Sequence, residues 1–213
     1  MTPLRIALPK GRLLWPALEV FDRAGFEVPT RAEIDSRQLV FRRRDLEWVL
    51  VKDCDVPVYV DHGAADAGIA GLDQILEHDS NAYQPVELPF SRCRMMVIGG
   101  PGAGPIESAT SVATKYPRIA SRFLASRGLR PEVVALGGSV ELAAVLGLTS
   151  HVIDLVETGE TARVHHLELQ QTIADITPRL IVGRDVYRTD PVRVRDLIDR
   201  LQTASQTEVT VAK

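Results

Sequence analysis

Two stretches of the chain combine residue types that suit the binding of phosphorylated molecules. The first is His151-Val-Ile-Asp154-Leu-Val-Glu157-Thr158-Gly159-Glu160-Thr161. An apolar strand ends there in acidic residues, and Thr-Gly-x-Thr opens a helix. Such a turn offers successive backbone N–H groups and two hydroxyls to a phosphate. Gly159 permits close backbone approach, and a helix N-terminus adds favourable potential. Asp154 or Glu157 suits sugar hydroxyls or a magnesium ion, which prefers oxygen ligands and bound phosphates. The same residues also make an ordinary capped strand-to-helix turn, since threonine is a common N-cap. Glu160 opposes a phosphate unless its carboxylate is directed away. The second stretch is Pro9-Lys10-Gly11-Arg12, at the carboxyl end of a first strand. Open α/β sheets take their ligands at that end. Lysine as a point charge and arginine as a planar fork suit a polyphosphate, although a solvated helix start accounts for them equally well.

Other stretches carry less chemistry. Arg42-Arg43-Arg44 reads as an exposed hairpin tip, with Arg43 on the face opposite its two neighbours. His165 and His166 diverge in direction and suit a surface better than a metal. Gly99–Pro105 lacks the Lys-Ser/Thr of a P-loop, and its prolines remove backbone donors, so it reads as a hinge or linker. Cys54 and Cys93 stand outside zinc or disulfide spacings and read as two reduced thiols. No protein-built metal site is expected. Neither a Gly-x-Ser-x-Gly elbow nor a His-Glu-x-x-His helix occurs.

Positioning these residues requires alternating strands and helices. Strands are expected at Leu4–Leu8, Ala67–Ala70, Val86–Pro89, Arg94–Ile98, Ser111–Thr114, Glu132–Leu136, Val152–Val156 and Leu180–Gly183. Gln38–Arg43 and Leu46–Val51 form a hairpin. Helices are expected at Leu13–Ala24, Val56–His62, Leu72–Glu77, Pro117–Ser126, Val140–Leu146 and Pro191–Gln202. This alternation implies largely parallel sheets covered by helices. The Gly/Pro-rich break at Gly99–Pro105 divides it into two α/β lobes with a cleft between them, a favoured place for ligands. The lobes share a local pattern: a helix ending at Gly63 precedes a short strand and the Gly71 turn, and one ending at Gly147 precedes a strand and the Gly159 turn.

Composition limits the partners. The chain has 213 residues, 45% hydrophobic and 25% charged, and 25 Lys and Arg against 28 Asp and Glu give a net charge of −3. That is too near neutral for a nucleic-acid coat or a membrane-surface protein, so neither nucleic acid nor membrane is expected as a partner. The N-terminus lacks a basic segment followed by a long apolar one, and no run approaches the ~20 apolar residues of a membrane span. A cytoplasmic protein is expected.

Taken together, the motifs resemble those of the ATP phosphoribosyltransferase family, in the short form of its catalytic chain. The resemblance is carried by Leu8-Pro9-Lys10-Gly11-Arg12-Leu13, Asp55-Val56-Pro57 with Tyr59-Val60, and Gly63-Ala-Ala-Asp66-Ala-Gly68-Ile69-Ala-Gly71-Leu-Asp73. It continues in Cys93-Arg94, Ala113-Thr114-Lys115-Tyr116-Pro117, Gly138-Ser139-Val140-Glu141 and Asp154–Thr161. It implies two α/β lobes around a central cleft, similar to type II periplasmic binding proteins. Residues 1–99 and 180–213 would form lobe I and residues 100–179 lobe II. The implied reaction joins adenine N1 of ATP to C1 of 5-phosphoribosyl-1-pyrophosphate, releasing pyrophosphate as the first step of histidine biosynthesis. Mg2+ would enter bound through the substrate pyrophosphate.

By matching position, Lys10, Arg12 and Asp154 would be catalytic. Gly11, Gly71, Asp73, Glu141, Glu157, Thr158, Gly159, Glu160 and Thr161 would bind substrate. Lys52 stands where the family often has Arg, and Ala162-Arg163-Val164-His165-His166 replaces the family's common Leu-x-x-Asn-Gly. The short form implies a separate regulatory subunit resembling a histidyl-tRNA synthetase, with a homodimer of this chain inside a hetero-oligomer. Two other readings fit the fold: a solute-binding protein, or a different phosphoribosyltransferase.

Overall fold

Strand and helix signals alternate along the chain, and in the computed structural model they assemble into two units, Met1–Ser91 with Thr177–Lys213 and Arg92–Ile176. The structure describes residues 2–106 and 111–211, with side chains described through residue 206. Unit 1 begins with β1 (Leu4–Pro9), α1 (Leu14–Arg23), α2 (Arg31–Ile34), β2 (Val40–Arg42) and β3 (Leu46–Val51). It continues with α3 (Val56–Asp61), β4 (Ala67–Gly71), α4 (Leu72–His78) and β5 (Tyr83–Glu87). Unit 2 comprises β6 (Cys93–Gly99), β7 (Ser111–Thr114), α5 (Pro117–Ser126), β8 (Glu132–Ala135), α6 (Glu141–Val145), β9 (His151–Val156), α7 (Glu160–Val164) and β10 (Glu168–Ile176). The chain then returns to unit 1 as β11 (Pro178–Val182), α8 (Arg184–Thr189) and α9 (Pro191–Val211).

Unit 1 is held by apolar stripes closing on its sheet. Leu14, Ala17, Leu18 and Phe21 recur at helical spacing on α1, and Val194, Leu197, Ile198 and Leu201 do so on α9. Both stripes join Ile6, Leu8 and Trp48 of the strands in one core. Trp48 is fully buried, meets Phe21 edge-on at 4.8 Å, and donates its indole N–H to the Glu27 carbonyl (3.1 Å). In unit 2, Met96 and Ile98 of β6 and Val152 and Val156 of β9 pack beneath α6 and Ala162 of α7.

The two sheets share a topology. Sheet 1 runs β2-β3-β1-β4-β11-β5 and sheet 2 runs β8-β7-β9-β6-β10. In each, a parallel three-strand block (β3-β1-β4 or β8-β7-β9) is followed by an antiparallel fourth strand and then a fifth. The fourth strand always arrives from the other unit: β5 of unit 1 leads into β6, and β10 of unit 2 leads into β11.

This exchange moves the boundaries expected from the sequence. Residues 92–99 fall in unit 2, not lobe I, because β6 hydrogen-bonds to β9 and β10. Residues 177–179 fall in unit 1, because β11 pairs with β4 from Pro178 onward. Gly99–Pro105 is correspondingly no hinge between units. Gly100 N–H donates to Ser150 O (2.9 Å), and Gly104 O accepts from His151 Nε2 (2.9 Å) and Gln170 Nε2 (3.1 Å), all within unit 2. β5 lies at Tyr83–Glu87, ahead of the expected Val86–Pro89, and α2, α8 and β10 had no expected counterpart. Among the described residues, no helix is long and apolar enough to cross a membrane.

Candidate functional site

In unit 2 the carboxyl ends of β7, β8 and β9 bring three loops to one edge of the sheet: residues 115–116, 136–140 and 157–159. Helices α5, α6 and α7 start from these loops, so their N-termini lie at the same edge. The Thr114 hydroxyl fixes the first loop by donating to Ile153 O (2.7 Å) and accepting from Tyr116 N–H (2.9 Å). Lys115 thereby reaches the edge, a cation that the sequence offered only as part of the Ala113–Pro117 motif and without a role; its further signal was its place just after a parallel strand.

The Glu157–Thr161 turn has the form its sequence suggests. Gly159 adopts φ +80°, the left-handed region that other residues enter at a cost, and its carbonyl accepts the first helical bond from Arg163 N–H (3.0 Å). The Thr158 hydroxyl accepts from Glu160 N–H (3.3 Å), and buried Ala162 anchors the helix to the core. Glu160 is held by Arg163 through bonds of 2.5 and 3.0 Å. That bond lowers the Glu160 pKa and occupies the carboxylate that otherwise opposes an anion at this turn. Asp154 lies two residues inside β9, half-buried, and accepts from Leu155 N–H (2.8 Å). Glu141, the first residue of α6, follows the exposed Gly137-Gly138-Ser139 loop. Unit 2 thus gathers Glu141, Asp154 and Glu157–Thr161 near one sheet edge.

Unit 1 repeats the arrangement with other side chains. Lys10 N–H donates to Val51 O (2.8 Å), extending the β1–β3 pairing one step beyond the strand. Gly11 follows at φ +103°, and its carbonyl accepts from Leu14 N–H (3.1 Å) to start α1. Lys10, Gly11 and Arg12 are exposed at the carboxyl end of β1. Beside them in the sheet, β4 ends at Gly71, and Asp73 occupies the first turn of α4. Asp73 is only 6% exposed and accepts from Gln74 Nε2 (2.8 Å). Its carboxylate fills the space above Gly71, where an added Cβ would sit 2.2 Å from Oδ1. Leu72 N–H donates to Thr177 O (3.0 Å), tying this turn to the residue where the chain re-enters the unit.

The remaining sequence candidates are structural. Among the described residues, neither Cys54 nor Cys93 takes part in a disulfide, and the Cys54 thiol donates to Asp55 Oδ1 (3.6 Å). Burial, followed by the charges of Asp55 and Asp53, pushes the Cys54 thiol up, away from reactivity. Arg43 is not part of an exposed tip: its side chain is 15% exposed and pairs with Glu27 (3.1 Å) and Glu33 (2.7 Å), while Arg42 pairs with Glu47 across the hairpin. Glu33 also closes a capping box on α2, accepting from Thr30 N–H (2.8 Å) while its own N–H donates to the Thr30 hydroxyl (3.3 Å). The Arg43 bond first, then those from Thr30, hold the Glu33 carboxyl at about 2, against 4.5 ordinarily.

A folded-state pKa below the unfolded value stabilises the protein above the unfolded pKa and is lost as pH falls through the folded one. Glu33→Gln therefore lowers the melting temperature at neutral pH. The gap from wild type should close as pH falls from about 4.5 towards about 2. Thermal melts across that range check this, and a pH-independent gap would contradict it.

The fold is that of a two-unit α/β protein whose candidate site loops lie at the carboxyl ends of parallel strands, where open α/β sheets take their ligands. Residues 52–203 match the family model of ATP phosphoribosyltransferase. The ATP phosphoribosyltransferase of Geobacillus kaustophilus is 42% identical over 200 residues, covering 93% of this chain and 96% of its own. That of Sorangium cellulosum is 40% identical over 205 residues, covering 95% and 96%. A solved structure titled ATP phosphoribosyl transferase (HisG:HisZ) complex from Thermotoga maritima superposes with a TM-score of 0.86 at 31% identity, covering 96% of this chain and 99% of that one. The chain belongs to the ATP phosphoribosyltransferase family. It is a transferase, and its family's reaction is the first committed step of histidine biosynthesis. A solute-binding role is displaced by this membership.

Proposed function

We propose that the chain joins N1 of ATP's adenine to C1 of 5-phosphoribosyl-1-pyrophosphate, with the Glu157–Thr161 turn holding the ribose 5-phosphate. The observation that best supports this is the turn itself: Gly159 at φ +80° opening a helix between two threonines at the carboxyl edge of a parallel block. Asp154 and Glu141 serve the ribose of the same substrate. In unit 1, Lys10 and Arg12 engage polyphosphate oxygens, with Gly11, Gly71 and Asp73 shaping the nucleotide side. Loss of pyrophosphate builds positive charge at C1 and negative charge on the leaving group. Fixed charges and orientation then do the catalytic work, and no covalent nucleophile is required. Magnesium bound to the substrate pyrophosphate would supply positive charge to offset that developing on the leaving group. The carboxylate oxygens of Asp154 and Glu157 are ligands of the type it prefers.

The same reading gives the chain a regulatory partner of the kind named in the Thermotoga complex, resembling a histidyl-tRNA synthetase, and a homodimer within that assembly. It works in the cytoplasm.

The test mixes ATP, 5-phosphoribosyl-1-pyrophosphate and magnesium and follows phosphoribosyl-ATP absorbance, with and without the partner. Product should form, faster with the partner present. Thr158→Ala should raise KM for the phosphoribosyl substrate about tenfold, the cost of one bond to a charged group. Lys10→Ala should act instead on the ATP or pyrophosphate side. No product with the partner present would reject the reading, and unchanged kinetics in both variants would reject the site.

A further inference from the structure

Arg94 is exposed near the start of β6, and the register of the sheet fixes where it lies. β6 runs antiparallel to β9, so Arg94 stands opposite Val156, the last strand residue before Glu157, and Met96 stands opposite Asp154. Opposed residues of an antiparallel pair, and residues two apart on a strand, project from the same face. Arg94, Asp154 and Val156 therefore share a face. Arg94 is the diagonal neighbour of Asp154, a relation of about 7–8 Å between backbones. Val156 packs in the same cluster as Ala162, so this is the face that α7 covers, at the end where the Glu157–Thr161 turn leaves the sheet.

Charge gives this position a use. The turn contributes two carboxylates, Glu157 and Glu160, and the arginine closest to it in sequence, Arg163, is engaged by Glu160. A sugar phosphate bearing a pyrophosphate brings several more negative charges to this edge. Backbone N–H groups and hydroxyls offset only part of that repulsion. The Arg94 side chain makes no hydrogen bond or ion pair among the described residues, including with Asp175, which stands opposite it on β10. Its guanidinium carries paired donors that match phosphate oxygens.

We propose that Arg94 binds the phosphorylated sugar held at the Glu157–Thr161 turn, donating to its phosphate oxygens and offsetting the turn's carboxylates. This rests on the assignment of that turn to the phosphoribosyl substrate.

The experiment compares Arg94→Gln, Arg94→Lys, Asp175→Asn and Thr158→Ala in the full chain. KM for 5-phosphoribosyl-1-pyrophosphate and for ATP is measured for each, alongside the melting temperature. Arg94→Gln should raise the first KM by about tenfold, as loss of one charge-assisted bond does, and leave the ATP KM within about twofold. Arg94→Lys should recover part of the loss, keeping the charge without the fork. Melting temperatures should not move, because the side chain is exposed.

Asp175→Asn should leave the phosphoribosyl KM unchanged or lower it. If Asp175→Asn instead reproduces the Arg94→Gln loss, Arg94 serves a cross-strand pair and the proposal is overturned. If Thr158→Ala raises that KM and Arg94→Gln does not, the turn keeps its assignment and Arg94 loses its role. If neither variant changes it, the turn assignment itself fails.

Discussion

Gly159→Ala should lower kcat/KM for 5-phosphoribosyl-1-pyrophosphate by about a thousandfold while leaving the far-UV circular dichroism of the protein intact. Three effects combine. Gly159 sits at φ +80°, where an L side chain costs about 1–2 kcal/mol. An added Cβ would also meet Leu169 Cδ1 at 3.2 Å, a contact that Leu169 must relieve by moving. Both strains relax most easily if the turn leaves the left-handed region, which re-aims the N–H groups of Glu160 and Thr161. Each misdirected donor to a charged oxygen costs about 1.5–3 kcal/mol, and two of them with residual strain give roughly 4–6 kcal/mol. At about 1.4 kcal/mol per decade this is a loss of three or more orders of magnitude. Because the turn is exposed and α7 is held by buried Ala162, global stability should fall far less than activity. A variant that keeps wild-type kinetics would show that no phosphate is held by this turn.

The contrast between this turn and other parts of the molecule explains what the sequence could convey. Glu157–Thr161 was legible because its form is local. An apolar strand, a glycine and a helix start follow one another within eleven residues, and Gly159 alone supplies the required backbone conformation. β1, α1 and β9 were legible for the same reason, their apolar periods surviving intact from sequence to packing.

β10 was not legible. Its register slips between Leu169 and Gln171 and again between Thr172 and Ala174, so the alternation that marks a strand never establishes itself. The unit boundary was missed for a different reason. β6 reads as a good apolar strand in either unit, and only its hydrogen bonds to β9 and β10 show which sheet it completes. The Gly/Pro segment that follows advertises turn chemistry but not its neighbours. Those are His151 and Gln170, 47 and 66 residues further on. Arg43 was correctly set apart from Arg42 and Arg44 by strand alternation, yet its partners Glu27 and Glu33 lie around a four-residue helix too short to leave a period.

Asp73 belongs with these non-local cases, and it leads to the second large effect. The family resemblance placed Gly71 and Asp73 together without saying why one must be glycine. In the structure, the Asp73 carboxylate folds back over the end of β4, and an alanine methyl at Gly71 would lie 2.2 Å from its Oδ1. That is well inside any tolerable contact, so one group must give way. The backbone has little freedom to do so: Gly71 is buried, pairs with Pro178 of β11, and leads into Leu72, whose N–H is bonded to Thr177 O. Asp73 therefore moves. Swinging it out breaks its bond to the buried Gln74 amide, leaving a buried donor unsatisfied at about 1–3 kcal/mol. Gly71→Ala should accordingly lower the melting temperature by several degrees, as a loss of that size does for a chain of this length. It should also raise KM for ATP by about a hundredfold, the loss of roughly one well-placed charge-assisted contact. The double variant Gly71→Ala with Asp73→Ala tests which group the nucleotide needs. With the carboxylate gone the methyl has room, but the Gln74 amide still lacks its acceptor, so the melting temperature should stay near that of Gly71→Ala and ATP binding should stay weak. If ATP binding returned in the double variant, Asp73 would be a packing residue and the nucleotide side of unit 1 would have to be sought at Lys10 and Arg12 alone.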